Sequence, residues 1–163
     1  SAMRRRYNRM FYENRIKKIK SIIHQACIGA DVIVGFPGET DTDFLDTYSF
    51  LNDMGISYLH VFTYSERYNT DAVEISGAVS KEKRAERSKM LHILSDKKRR
   101  YFHDQFVGHN RPVLFEHKKN GKIIGHTDNY IQVQLDGDDD LINTIQLVKL
   151  TKNQGSIIEG QLS

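Results

Sequence analysis

The stretch that decides the fold is Ala30-Asp-Val-Ile-Val-Gly-Phe-Pro-Gly-Glu39, which continues as Thr40-Asp-Thr-Asp-Phe44. Consecutive β-branched residues before a Gly-x-Pro-Gly turn predict a strand over 30–36, covered on both faces as in a parallel sheet. Thr40 and Asp43 form the sequence signature of a capped helix start. Because α/β proteins hold ligands where a parallel strand ends at such a turn, we expect a binding site here. Any strand–helix connection also needs a turn, so the pattern alone leaves both interpretations open.

The segments on either side of this strand predict a repeating α/β pattern. Apolar residues at helical spacing indicate one helix from Met10 to about Cys27 and another over 41–54. A second strand is predicted over 56–64, so the order helix, strand, helix, strand implies a parallel pair with a right-handed crossover. Two strands are too few to close a sheet. The pattern therefore indicates part of a larger α/β structure, a partial TIM-type barrel or an open sheet.

A long charged helix is predicted from Ser80 to about Gln105, and the character of the chain changes after it. The apolar stripe of this helix is broken and consists of Met90, Leu91, Leu94, Tyr101, Phe102 and Phe106. Beyond Gly108, five short strands separated by turns predict a small closed all-β barrel of the oligonucleotide-binding type. These strands are expected at 112–116, 122–125, 130–135, 141–150 and 156–162.

The predicted domains are thus an α/β part over 3–79, a linking helix over 80–107 and a five-stranded barrel over 108–163. The acidic run Asp136–Asp140 lacks the spaced ligands and the closing glutamate of a calcium loop, so it predicts a hairpin turn.

Composition limits the classes of function. A net charge of +3 permits an acidic partner such as RNA but does not require one. The single cysteine, Cys27, excludes a disulfide framework or a cysteine metal cluster built from this chain alone. No apolar run approaches the about 18 residues of a membrane span, and no signal peptide is visible, which predicts a soluble, cytoplasmic protein.

Taken together, the motifs resemble the radical S-adenosylmethionine methylthiotransferases. The resemblance covers about residues 3–162, and its last part is similar to a TRAM domain. The residues that carry it are Asp31-Val-Ile-Val-Gly-Phe-Pro-Gly-Glu-Thr40, Leu59-His-Val-Phe-Thr-Tyr-Ser-Glu-Arg67, Arg87 with Leu91, Phe106-Val-Gly108, Val113-Leu-Phe-Glu116 and Gly121-Lys-Ile-Ile-Gly-His-Thr-Asp-Asn-Tyr130.

Within this family, His60-Val-Phe62 before Tyr64-Ser65 is most similar to the MtaB branch. Members of that branch add a methylthio group to threonylcarbamoyladenosine beside the anticodon of tRNA. Two alternatives within the family are methylthiotransferases that act on isopentenyladenosine in tRNA or on a ribosomal protein. A third alternative, from another class, is a non-catalytic RNA-binding module.

The resemblance implies S-adenosylmethionine and two [4Fe-4S] clusters in the full-length enzyme. One cluster is bound through Cys-x3-Cys-x2-Cys and the other through three cysteines of an N-terminal domain. Since Cys27 is the single thiol, this chain can build neither cluster. We therefore expect an inactive C-terminal fragment, without catalytic residues or metal ligands of its own. A truncated barrel exposes sheet edges and apolar surface, so we also expect self-association.

The resemblance places the cofactor-binding residues at the two strand ends. The first strand end would line the adenine side of S-adenosylmethionine, and the second would close the pocket from the neighbouring side. Glu39 either orders the turn through backbone amides or orients the ligand. The candidates are Ile33, Val34, Gly35, Glu39, Phe62 and Tyr64.

The RNA-binding candidates are mostly cations of the barrel. Lysine and arginine contacts to phosphates would make the affinity salt-dependent, and Tyr130 offers a stacking platform. A solvated lysine surface is the alternative. For Arg67 the expected partner is a phosphate, a substrate carboxylate or an acidic residue on the surface. The family usually has Gly-Thr-Pro shortly after this arginine, and this chain has Asn69-Thr-Asp71 instead. The candidates are Arg67, Arg111, His117, Lys118, Lys119, Lys122, Tyr130, Lys149 and Lys152.

Two further basic runs have the same two interpretations, a solvated face or an RNA contact. They are Arg4-Arg5-Arg6 and Lys97-Lys98-Arg99-Arg100.

Overall fold

The structure, a computed structural model, describes residues 7–67, 70 and 74–163. The predicted contact of Arg4-Arg5-Arg6 lies outside these residues. Five positions of the predicted loop after Arg67 lie outside them too, namely Tyr68, Asn69, Asp71, Ala72 and Val73. The chain divides into two compact units, Ser1–Ser95 and Asp96–Ser163. The elements are α1 (Arg9–Ile22), β1 (Gly29–Val34), α2 (Asp41–Asp53), β2 (Tyr58–Thr63), α3 (Lys81–Asp104), β3 (Asn110–Lys119), β4 (Lys122–Thr127), β5 (Gln132–Asp136), β6 (Ile145–Asn153) and β7 (Ile158–Leu162).

The first unit contains the predicted parallel strand pair. β1 pairs with β2 in register from Gly29 opposite Tyr58 to Val34 opposite Thr63. Alternate residues of β1, with Leu59 of β2, join one core to which α1, α2 and α3 contribute. The sheet has two strands within the described part of the chain, so its completion into a TIM-type barrel stays a prediction.

The prediction that both faces of β1 are covered is wrong for this chain. Asp31 and Ile33 are exposed, whereas Ala30, Val32 and Val34 are buried. The helices pack against one face of the sheet, so the opposite face meets solvent. This face is the surface through which we expect self-association, which stays a prediction.

The start of α2 follows the sequence prediction. The Thr40 hydroxyl accepts a hydrogen bond from the Asp43 amide at 3.1 Å, and the Asp43 carboxylate accepts one from the Thr40 amide at 2.9 Å. This is a complete capping box. By contrast, α1 ends at Ile22 instead of near Cys27. Ile22 and Ile23 are 69% and 58% exposed, so no burial of apolar surface favours a further helical turn there.

The second unit contains the predicted closed five-stranded barrel. Its strand order is β3-β4-β5-β7-β6, with β6 pairing back to β3. All pairs are antiparallel except β5 with β7, which run parallel through Val133 opposite Ile158 and Gln134 opposite Glu159. The interior is apolar and includes Val113, Phe115, Ile123, Ile131, Val133, Val148, Leu150 and Ile158.

Two details of this unit differ from the sequence predictions. The run Asp136–Asp140 is not a hairpin turn, because β5 pairs with β4 and β7, and β6 pairs with β3 and β7. A short 3-10 turn at Asp139–Leu141 begins the connection instead, and β6 starts after Asn143, which has a φ of +64°. Tyr101 is 72% exposed and does not belong to the buried stripe of α3.

None of the helices in the described ranges combines the length and the apolar character that a membrane-crossing helix needs.

Candidate functional site

The turn after β1 is closed by the carboxylate of Glu39. Gly35 and Gly38 have φ values of +76° and +84°, a region that glycine adopts without the steric cost of a side chain. The Glu39 Oε2 atom accepts a hydrogen bond from the Gly35 amide at 2.7 Å, and the Glu39 amide donates to the Phe36 carbonyl at 2.9 Å. The side chain of Glu39, the last residue of the turn, thus forms a hydrogen bond with Gly35, the first residue of the turn.

A buried arginine of α3 holds the same carboxylate. Arg87 is 4% exposed, and its Nη1 donates to Glu39 Oε2 at 2.6 Å. Its Nη2 donates to Asp41 Oδ1 at 2.8 Å, and its guanidinium lies 5.5 Å from the centre of the Phe44 ring. The hydrogen bonds from Arg87 and Lys83 lower the pKa of Asp41. Arg87 therefore joins the turn and the first residue of α2 to α3.

A second arginine of α3 holds the end of β2. Arg84 Nη1 donates to the Tyr64 carbonyl at 2.9 Å, and its Nη2 donates to Glu66 Oε1 at 2.5 Å. The hydrogen bond from Arg84 lowers the pKa of Glu66 to about 2. The Arg84 stem also lies against Gly35, where a Cβ atom would collide with Arg84 Cγ.

Sequence reasoning missed the roles of these two arginines, although a signal exists. Arg84 and Arg87 occupy the same stripe of α3 as Leu91 and Leu94, since their spacing is three, four and three residues. Charged residues on an apolar stripe indicate buried ion pairs. The carboxyl ends of the two parallel strands are in this way tied to one helix face.

The six cofactor candidates lie at this edge, but they face different ways. Ile33 and Phe62 are register partners on the open face of the sheet, 37% and 53% exposed, and they line an open cleft of about 590 Å³. The Val34 side chain is in the core. The Gly35 amide and the Glu39 carboxylate bond each other.

Tyr64 lies beside the turn after β1. Its ring packs edge-on against Phe36, with ring centres 5.4 Å apart. Its hydroxyl is buried and has no hydrogen-bond partner among the described residues.

The RNA candidates do not form one continuous basic surface. Arg111 pairs with Asp128 at 2.5 Å, Lys118 with Asp139 at 2.8 Å and Lys122 with Asp136 at 2.9 Å. These carboxylates raise the pKa of Lys118 and Lys122. Residues 108–163 contain six lysines and arginines against seven aspartates and glutamates, so the barrel has no basic excess. The candidates that are exposed are Arg67, His117, Lys118, Lys119, Tyr130, Lys149 and Lys152.

Comparison with known proteins gives a consistent result. No family model matches the chain. It is 35% identical to the threonylcarbamoyladenosine tRNA methylthiotransferase MtaB of Bacillus subtilis, over 98% of the chain and 36% of that enzyme. It is 33% and 31% identical to the tRNA-2-methylthio-N(6)-dimethylallyladenosine synthases of Aliarcobacter butzleri and Aquifex aeolicus, over 99% of the chain and 37% of each.

The chain thus spans little more than a third of the length of these relatives. The similarity extends along nearly the whole chain and includes enzymes named for two different modified adenosines. The similarity of the chain to these enzymes, over about 37% of the length of each, fits a C-terminal fragment of the methylthiotransferase family.

Proposed function

We propose that the chain is the C-terminal part of a radical S-adenosylmethionine enzyme that adds a methylthio group to threonylcarbamoyladenosine beside the anticodon of tRNA. The observation that carries the proposal is the 35% identity, along 98% of the chain, to a Bacillus subtilis enzyme named for that nucleoside. In this proposal the first unit is part of a TIM-type barrel and the second is a TRAM domain. The complete enzyme would work in the cytoplasm.

The residues present fit one part of the cofactor set. Ile33 and Phe62 offer an apolar wall at the end of two parallel strands, which suits an adenine ring. S-adenosylmethionine supplies the radical and the methyl group when it is bound in the complete enzyme. Within this chain, Arg84 and Arg87 hold the backbone of the wall in place.

The residues present do not fit an iron–sulfur cluster. Cys27 is the single thiol of the chain, and a cluster needs several thiolate ligands. In the proposal both clusters are bound by other parts of the enzyme, so the chain alone is inactive.

Deletion of the gene that encodes the chain tests the reaction and its substrate. We expect the methylthio group to disappear from threonylcarbamoyladenosine in total tRNA, measured by mass spectrometry of nucleosides. Methylthiolation of isopentenyladenosine serves as the internal control and should not change. If the methylthio group is lost from isopentenyladenosine or from a ribosomal protein instead, the substrate is that of the corresponding branch of the family. Unchanged methylthiolation of all three would favour the non-catalytic RNA-binding module.

Binding of an anticodon stem-loop RNA to the chain tests the second role. Lys149 is exposed, whereas Lys118 is paired with Asp139. We therefore expect Lys149→Met to weaken binding and to reduce the slope of log affinity against log salt by about one phosphate contact. The matched variant Lys118→Met should change the slope less. An affinity that does not depend on salt would contradict phosphate contacts by the barrel.

A further inference from the structure

The outer surface of the barrel carries one group of exposed apolar side chains, which we call the outer patch. Its members are Leu114, Tyr130, Ile145 and Leu147, which are 43%, 79%, 68% and 54% exposed. The strand register brings the group together. Leu114 of β3 lies between His126 of β4 and Ile145 of β6, and Leu147 lies opposite Pro112. Exposed apolar side chains grouped in this way mark a binding surface.

Tyr130 is presented to solvent by a strained turn. Its φ is +66°, and the other non-glycine residues with positive φ in the described part of the chain are Asn120 and Asn143. Asparagine tolerates this conformation through its short polar side chain, whereas a bulky side chain such as that of tyrosine adopts it at a steric cost. Thr127 fixes the turn, because its carbonyl accepts from the Tyr130 amide at 3.0 Å and its hydroxyl accepts from the Ile131 amide at 2.9 Å.

The Tyr130 ring is supported on one side. The rings of His126 and Tyr130 lie 5.2 Å apart at an angle of 33°. The Nδ1 atom of His126 lies 3.0 Å from Glu116 Oε1, which holds the imidazole in place. Because Tyr130 remains 79% exposed in spite of this contact, its other face is open. A strained aromatic residue held outward in this way indicates a binding role.

We propose that the outer patch is a stacking platform for an unpaired RNA base, with Tyr130 supported by His126 as its aromatic surface. The inference rests on the tRNA-related function proposed above and specifies where the RNA binds. Planar aromatic side chains bind nucleotide bases of any sequence by stacking. The aliphatic side chains of Leu114 and Ile145 extend the surface beyond the two rings.

The outer patch has an exposed cation beside it that is placed to contact a phosphate. Lys149 is exposed on the same face of β6 as Leu147, two residues farther along the strand. Asp136 and Asp139 pair with Lys122 and Lys118, at the other end of β4 and β3 from the platform. The nearer carboxylates of Glu116 and Asp128 are bound to His126 and Arg111.

The variant Tyr130→Asn separates binding from folding. The probes are a fluorescein-labelled RNA hairpin with a seven-base loop and a duplex of the same stem, both titrated with the full chain. Loss of one stacked base should raise the Kd for the hairpin about 5- to 150-fold and leave the Kd for the duplex unchanged. Since asparagine tolerates the left-handed backbone, the Tm of the variant should be unchanged or higher.

Two matched variants and one spectroscopic signal complete the test. Tyr130→Phe keeps the aromatic ring and therefore the stacking contact. Its Kd for the hairpin should lie within about twofold of the wild-type value. Tyr101→Ala removes an aromatic side chain that is 72% exposed on α3 and should have no effect. A 2-aminopurine base in the loop should lose fluorescence on binding to the wild type but not to Tyr130→Asn.

Three outcomes would overturn the platform in different ways. If Tyr130→Asn binds the hairpin as tightly as the wild type while Lys149→Met binds it less tightly, the platform fails and the phosphate contact stands. If the wild type binds no RNA at low salt, the RNA-binding role of the barrel fails as well. If instead the chain dimerises and both Tyr130→Asn and Leu147→Ser abolish the dimer, the outer patch binds a second copy.

Discussion

The Arg87 guanidinium donates to the Glu39 carboxylate at 2.6 Å, and the two side chains are 4% and 15% exposed. The same Glu39 oxygen accepts a hydrogen bond from the Gly35 amide. One buried carboxylate oxygen therefore ties a helix that begins at Lys81 to a turn that begins at Gly35. Because both charges are largely removed from water, each depends on the other.

We expect Arg87→Met to lower the free energy of unfolding of the first unit by about 3 kcal/mol, since removal of one partner leaves a buried charge without compensation. Urea unfolding followed by circular dichroism and by amide signals of β1 measures this change. Asp41→Asn is the matched control, because Asp41 bonds the same guanidinium but is 65% exposed, and its loss should lower the stability much less than the loss of Arg87. Equal effects of the two substitutions would contradict a buried pair.

Gly35→Ala should destabilise the chain more than Gly121→Ala. Both glycines have φ near +80°, so each alanine variant loses about 1–2 kcal/mol from the left-handed backbone. At Gly121 no atom lies within 4 Å of the added Cβ, whereas at Gly35 the Cβ meets the Arg84 stem. The added collision should bring the loss at Gly35 to about 3 kcal/mol or more. If the two variants lose the same stability, the close contact with Arg84 is not important.

The stability of the second unit should fall on acidification through His103. This residue is 5% exposed, and burial, assisted by the charge of Arg99, lowers its pKa below the ordinary value of 6.5. Above pH 6.5 the imidazole is neutral in both the folded and the unfolded chain and adds no pH dependence. Below that pH the unfolded chain binds a proton that the folded chain resists, so stability is lost down to the folded pKa.

Unfolding curves between pH 7.5 and 5 for the wild type and for His103→Leu measure this effect. The difference in the free energy of unfolding between the wild type and His103→Leu should change with pH below about 6.5 and stay constant above it. A difference that does not vary across the range would show that His103 takes up its proton equally in both states.

The local signals in the sequence predicted much of the fold, whereas contacts between distant residues could not be predicted. The capping box of Thr40 and Asp43 and the five-stranded barrel follow from spacing over a few residues. The pairing of Arg87 with Glu39 joins residues 48 positions apart, and no local pattern specifies it. Whether one or both faces of β1 are buried likewise depends on which elements cover the sheet. A run such as Val32-Ile33-Val34 has the same composition whether one face or both faces are covered.

The candidate site likewise combines features that the sequence predicts with features that it does not. Its position at the strand ends follows from the Gly-x-Pro-Gly turn, but the direction of each side chain depends on the pairing register of β1 and β2. The sequence predicts the lysines of the barrel as RNA-binding candidates, whereas the structure pairs Lys122 with Asp136 at the end of β5 and Lys118 with Asp139 in the connection after it. Those pairings depend on the register of β4 with β5 and on the path of the chain after β5, which the strand pattern does not specify.

The barrel closes through its shortest pairing. β5 and β7 pair through two residues, whereas β3 and β4 pair through six and β4 and β5 through five. Because β5 and β7 pair through fewer residues, we expect the barrel to open there first. Amide protons of this pairing should exchange with deuterium sooner than those between β3 and β4. Opening of this pairing exposes two strand edges to other chains. We therefore expect aggregation of the domain on heating to begin at this short pairing.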